Sequence, residues 1–277
     1  MRISSIAILA LAVAWPATSS AQAPRKMSAP HVTVELVASQ PALRAGGDTW
    51  LGLRFILDPG WHIYWVNPGD SGGPPAAFWQ PGAGLTPGDL EWPAPTRIPS
   101  GPLVNYGYFG DVVLPFPIRA DARTADGTLG ATLAWMVCRD ICVAGKGRLA
   151  ISFPLAGDAA AAVPAWKTMI DDWRARVPRP APAAWRVQVE EAGDAWLLTV
   201  STGRREAGGV FFPIDGGVID EPAPQHPEPT DGGLRLRLEK SDALTTVPAV
   251  LRGVLTLESG ASHELALPLG AVSGKRQ

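Results

Sequence analysis

The chain's only two thiols, Cys138 and Cys142, sit with three residues between them in Trp135-Met-Val-Cys-Arg-Asp-Ile-Cys-Val-Ala-Gly145. Two thiols so placed can form a structural bridge, exchange electrons as a dithiol/disulfide couple, or join Met136 as soft donors for Cu(I). A bridge this short closes a very small loop, which stabilises least in the chain-entropy model. A chain of 277 residues also buries enough core without one. Zinc wants four ligands, and no histidine lies nearby in sequence. Redox exchange is therefore the leading reading, with a structural disulfide and a Cu(I) site beside it.

If residues 138–142 were extended, their Cα atoms would lie roughly 13 Å apart at about 3.3 Å per residue. A disulfide needs about 4.4–6.8 Å, so Arg139-Asp140-Ile141 must turn back on itself. A bridge across such a loop is exposed and open to in-line attack by an incoming thiolate. Arg139, with Lys146, favours a thiolate, whereas Asp140 opposes one or takes up a proton. Cys138 ends an apolar strand and Cys142 starts the next segment. Cys142 is thus expected to be the sulfur first attacked or attacking, with Cys138 resolving.

The elements that must position this pair read as β-strands. Val32, Val34 and Leu36 share one face, as do Leu51, Leu53, Phe55 and Leu57. Leu129 to Val137 and Leu149 to Leu155 repeat the period-two pattern. With 30 Gly and 28 Pro marking turns, this fits a β-sandwich. The stretch from Gly60 to Pro117 is looser and reads as two or three strands between long ordered loops. Pro164, Trp166, Met169, Ile170 and Trp173 show helical spacing after the run Ala159 to Ala162; the Trp/Met stripe is a packing face. Pro178 to Pro182 is a stiff linker. Alternation then resumes from Trp185 to Leu269 as five or six strands, predicting a second, smaller sandwich. The expected division is a signal peptide over 1–23, a β-sandwich carrying the two cysteines over 24–156, helix and linker over 157–183, and the second sandwich over 184–277.

Residues 1–23 combine Arg2, an apolar run from Ile6 to Trp15 and small residues near Ala21 and Ala23, the pattern of an export signal. No later segment reaches the roughly 20 apolar residues of a membrane span, so a soluble exported protein, or one tethered only through partners, without a transmembrane segment after cleavage is expected. A net charge of −2 argues against nucleic-acid binding, which rests on clustered Lys and Arg. There is no Ser/His/Asp pattern, no metal-spaced carboxylate set and no phosphate loop. No cofactor and no metal are expected.

Gly60-Trp-His-Ile-Tyr-Trp-Val-Asn-Pro-Gly-Asp-Ser-Gly-Gly-Pro-Pro75, Leu90-Glu-Trp-Pro-Ala-Pro95, Gly101-Pro-Leu-Val-Asn-Tyr-Gly-Tyr-Phe-Gly110 and Cys138-Arg-Asp-Ile-Cys-Val-Ala-Gly145 together resemble the N-terminal periplasmic domain of the thiol:disulfide interchange protein DsbD. They are most similar to its ScsB-like relatives. Phe211 to Asp220 and Ala223-Pro-Gln225 look like the ScsB-type extension. The resemblance implies an immunoglobulin-like domain whose cysteines shuttle electrons to periplasmic thioredoxin-fold partners, among them isomerases, cytochrome c maturation factors and copper-tolerance proteins. It also implies an aromatic cap loop, here Asn105 to Gly110, with Tyr106, Tyr108 and Phe109 gating the cysteines between the hinges Gly107 and Gly110. The alternative for these aromatics is plain core filling. The chain shows neither a membrane-embedded nor a thioredoxin-like domain, so the electron donor is expected to be a separate membrane protein. The three-residue cysteine spacing departs from the longer one of the best-known DsbD proteins and fits ScsB-like ones.

The function expected is a thiol-disulfide relay, a protein-disulfide reductase component in which Cys138 and Cys142 do the chemistry. Arg139, Asp140 and His62 support it, and Trp61, Trp65 and Asn67 shape the surrounding surface. The alternative reading of His62 is a structural histidine in an aromatic strand. The alternative function is a non-catalytic adaptor, related to copper tolerance, whose disulfide only fixes a loop.

Overall fold

The computed structural model describes residues 23–154 and 166–269. The expected leader, all but Ala23, together with the alanine run and Pro164, lies outside the described residues. The first half is built from β1 (Lys26–Ala29), β2 (Val32–Ala38), β3 (Asp48–Leu57), β4 (His62–Gly69), β5 (Ala76–Pro81) and β6 (Leu85–Pro87). It continues through β7 (Thr96–Ser100), β8 (Leu103–Phe109), β9 (Asp111–Ala120), β10 (Thr128–Cys138) and β11 (Cys142–Ser152). One helix, α1 (Lys167–Arg174), precedes β12 (Arg179–Pro180), β13 (Arg186–Ala192), β14 (Ala195–Ser201) and β15 (Gly209–Pro213). The described chain closes with β16 (Glu228–Thr230), β17 (Gly233–Glu239), β18 (Val250–Leu257) and β19 (Ser262–Pro268).

These strands form two sandwiches, the all-β fold that the alternation predicts. In the first, a sheet ordered β1-β2-β3-β9-β6 faces one ordered β11-β10-β4-β8-β7, with β5 alongside the first part of β10. The second pairs β12-β19-β18-β15 with β13-β14-β17-β16. Strand period decides what goes inside. Leu51, Leu53 and Phe55 of β3 and Leu129, Ala131, Leu133, Trp135 and Val137 of β10 point into one core, each large side chain contributing about 1.5–3 kcal/mol of burial. The same period puts Met136 and Cys138 on the outer face of β10.

The looser stretch is more regular than its sequence suggests. It holds β4 to β8 and most of β9, where two or three strands were expected, because Pro and Gly break it into pieces of three to eight residues. The expected cap loop is strand β8, paired with β4 on one side and β7 on the other. Gly107 explains the misreading. A Cβ there would lie 2.0 Å from the carbonyl oxygen of Ile63, so this glycine permits a close strand approach and is not a hinge. From Trp185 to Leu269 the chain holds seven strands, β13 to β19, not five or six, and β12 lies in the expected linker.

Helix α1 packs its Ile170 against Val37 and Val113 on the outside of the first sheet, flanked by Trp50, Trp166, Met169 and Trp173. The Trp/Met stripe is thus a packing face, with the Arg174 guanidinium 3.6 Å from the Trp50 ring centre. The two sandwiches share apolar contacts: Phe212 of β15 lies edge-on to Tyr106 and Trp65. Beside it, Asn67 Nδ2 donates to the Pro213 carbonyl at 2.8 Å. Tyr106 donates its hydroxyl to the Glu221 carboxylate, and Arg97 donates to the Glu221 carbonyl. Among the described residues no helix is long and apolar enough to cross a membrane.

Candidate redox site

Strands β10 and β11 form a hairpin whose final register pair is Cys138 opposite Cys142. The three residues between them turn the chain, with Arg139 N–H donating to the Ile141 carbonyl at 3.0 Å. The two Cα atoms come within 4.1 Å and the sulfurs are bonded. The turn that the spacing requires is therefore present. The two sulfurs differ in access: Cys138 is 2% exposed, whereas Cys142 is open to solvent.

Cross-strand register extends the pair into a row. Cys138 stands opposite His62 of β4, and His62 opposite Phe109 of β8. Directly opposed residues put their side chains on one face, so Cys142, Cys138, His62 and Phe109 line a single strip on the outer face of the sheet. The His62 ring lies edge-on to Phe109, with centroids 5.6 Å apart, and to Tyr64 at 5.1 Å. Ile141, 66% exposed, adjoins the open cysteine in the turn, and Phe109, 49% exposed, ends the row on β8.

Tyr64, two residues on from His62, shares that face and its hydroxyl donates to Cys142 Sγ at 3.6 Å. Burial pushes the phenol pKa up, against an opposing hydrogen bond with Ser71, so Tyr64 stays a proton donor at neutral pH. The backbone at Gly72 lies flat on its ring. A Cβ there would fall 2.0 Å from Tyr64 Cζ, and φ is +82°, a conformation glycine adopts without penalty. This strap is tied down from β8: Ser71 N–H and Oγ both donate to Asn105 Oδ1 at 3.0 Å, and Val104 N–H donates to Asp70 Oδ2. Tyr64 and the strap were not singled out from sequence, although the alternation of His62 and Tyr64 against Ile63 and Trp65 carries the signal.

The charged supports sit differently from expectation. Arg139 Nε is bound to Asp140 at 2.9 Å, so the pair is internally compensated, and Asp140 is 82% exposed at its side chain. The Arg139 guanidinium rests 5.4 Å from the Trp61 ring centre, and Trp61 stacks on His31 at 3.7 Å. Trp61 therefore props the hairpin tip. Lys146 is four residues along β11, roughly 13 Å from Cys142 at about 3.3 Å per residue, opposite Ala134. Trp65 lies in the core, and Asn67 in the contact between sandwiches. Tyr106 and Tyr108 point inward, away from the disulfide face. Tyr106 meets Glu221, and Tyr108 donates to the Pro93 carbonyl at 2.6 Å. Of the expected aromatic gate only Phe109 shares the face of the cysteines.

Removing the Tyr64 hydroxyl has a defined consequence. In the reduced protein that donor would stabilise the Cys142 thiolate, and a hydrogen bond to a charged group is worth about 1.5–3 kcal/mol when buried. At this half-open site Tyr64→Phe is expected to raise the Cys142 thiol pKa by roughly one unit. The check is the pH dependence of iodoacetamide alkylation, which should shift upward in the variant.

The first of two sandwiches thus carries, at the end of a hairpin, a disulfide between one exposed and one buried cysteine. Residues 33–154 match the family described as thiol:disulfide interchange protein DsbD, N-terminal. No curated protein matches the chain. The crystal structure of the N-terminal periplasmic domain of ScsB from Proteus mirabilis is similar, with a TM-score of 0.66 at 20% identity. The likeness covers 88% of this chain and 98% of that one, so the shared fold takes in both sandwiches.

Proposed function

We propose that this protein is a periplasmic thiol-disulfide exchange protein relaying electrons through Cys138 and Cys142 to or from thioredoxin-fold partners. Its own reducing equivalents come from a separate membrane protein. The observation that carries this reading is the asymmetry of the pair, one cysteine open and one buried, within a span that matches an interchange family. An incoming thiolate attacks Cys142 Sγ in line and Cys138 leaves. In the reverse direction Cys142 attacks and Cys138 resolves. Isomerases, cytochrome c maturation factors and copper-tolerance proteins are the partner classes proposed. The aromatic proposed to shield the pair is Phe109.

The test is a mixture of oxidised protein with a reduced dithiol protein of thioredoxin fold. Free thiols are followed against a Cys138→Ser/Cys142→Ser double variant. Stoichiometric transfer of two electrons, absent from the double variant, is the expected result. No transfer, with the double variant keeping both its stability and its affinity for the partner, would turn the reading to the adaptor.

A further inference from the structure

His62 is the one histidine on the face of the cysteines among the described residues, and its placement is hard to explain by packing alone. It is 2% exposed, stands opposite Cys138 in register, and its Nε2 is buried with no hydrogen-bond partner. A buried nitrogen without a partner costs free energy, so a purely structural side chain here would be better apolar. Cys138 is equally buried, and burial in apolar surroundings raises a thiol pKa and disfavours the thiolate that must attack. The carboxylate nearest in sequence, Asp140, is turned to solvent and engaged by Arg139.

Resting on the exchange reading above, we propose that His62 is the general base and acid of Cys138. In the resolving step the partner is bonded to Cys142 and Cys138 is a thiol. His62 Nε2 takes the Cys138 proton, and the new thiolate attacks Cys142 Sγ. The Cys138–Cys142 bond forms, the Cys142–partner bond breaks, and its electron pair leaves on the partner's sulfur. The pair in this protein is oxidised and the partner is reduced by two electrons. In reverse, protonated His62 returns the proton to Cys138 as it is expelled.

The imidazole must be neutral to act as acceptor, and burial lowers its pKa from the ordinary 6.5, which keeps it neutral at neutral pH. The titratable groups around it are Cys138 from β10, Tyr64 on its own strand, and the Arg139–Asp140 pair at the hairpin tip. Phe109 meets it from β8. Desolvation is the sole cause of the shift, so no charge from these groups offsets it.

The test uses the reduced full protein and 5,5′-dithiobis(2-nitrobenzoate) in a stopped-flow spectrometer. Wild type should release thionitrobenzoate in two phases: attack by Cys142, then unimolecular resolution by Cys138. His62→Gln and His62→Phe, the second keeping the ring packing, should leave the first phase within about twofold of wild type. They should slow the second by roughly 100-fold, the lower end of general acid-base effects. The pH profile adds a readout that packing alone would not move. Wild-type resolution should fall as pH drops through a value below 6.5, whereas the variants should follow only the thiol, rising toward about pH 8.5 and above. Either variant, folded by circular dichroism and resolving at the wild-type rate and profile, would overturn the assignment and leave the exchange reading intact. A wild type with no second phase would instead sink both.

Discussion

The Cys138→Ser variant is expected to accumulate as a stable covalent adduct with its partner, where wild type turns over. Only Cys142 is open to attack, and it sits at the tip of a hairpin beside the exposed Ile141. A partner thiolate therefore forms its mixed disulfide at Cys142 in either direction of electron flow. What normally breaks that adduct is the Cys138 thiolate, held opposite by strand register and so at a high effective concentration. Without it, release falls to uncatalysed rearrangement, on the order of minutes to hours. The converse variant, Cys142→Ser, leaves only a thiol that is 2% exposed and should form almost no adduct. Non-reducing mass spectrometry reads both outcomes after each variant, as its free thiol, is mixed with a thioredoxin-fold protein whose one remaining cysteine carries thionitrobenzoate, so that thionitrobenzoate leaves as the mixed disulfide forms. Equal trapping by the two variants would mean that access does not select the sulfur.

The protein should also be markedly more stable at pH 5 than at pH 8, and Glu221 should account for much of the difference. This carboxyl is buried where the two sandwiches meet, accepts from Tyr106, and has its Oε1 buried without a partner. Desolvation is the largest effect on it and Asp70 adds like charge. Hydrogen bonds with Tyr106 and Asn67, and the Arg97 charge, oppose them, and the net result is a pKa raised from 4.5 to about 7. Because the folded pKa is the higher one, folding takes up a proton between these values. The contribution is complete below about pH 4.5 and is lost as pH rises through about 7. The shift corresponds to about 3 kcal/mol, or roughly 6–12 °C in Tm for a chain of this size. Glu221→Gln should flatten this slope and melt higher than wild type at pH 8. Thermal unfolding of both proteins at the two pH values is the check, and parallel pH dependences would contradict the account.

How much of this was legible depends on the range of the interaction. Leu51 to Leu57 and Leu129 to Val137 announce their strands because burial on one face imposes period two. The turn at Arg139-Asp140-Ile141 follows from chain geometry and two thiols. Where glycine serves a contact distant in sequence, local reading misleads. Tyr106-Gly107-Tyr108 resembles a hinged loop, yet Gly107 accommodates the Ile63 carbonyl and the tyrosines turn inward. Gly72 was likewise silent, since only the fold lays its backbone on Tyr64. Glu221 pairs with Tyr106 across 115 positions, and nothing local marks it. His62 lay between: its type invited chemistry, and only register with Cys138 gives it a task.

The most direct test of the central claim, an exchange-active pair, is the reduction potential of Cys138–Cys142, set by equilibration in thiol redox buffers with trapping of free thiols. An exchange protein predicts a value in the range of known thiol-disulfide oxidoreductases, roughly −180 to −270 mV. A value below about −300 mV, where structural disulfides lie, would contradict the account and make the bridge a fixed part of the hairpin.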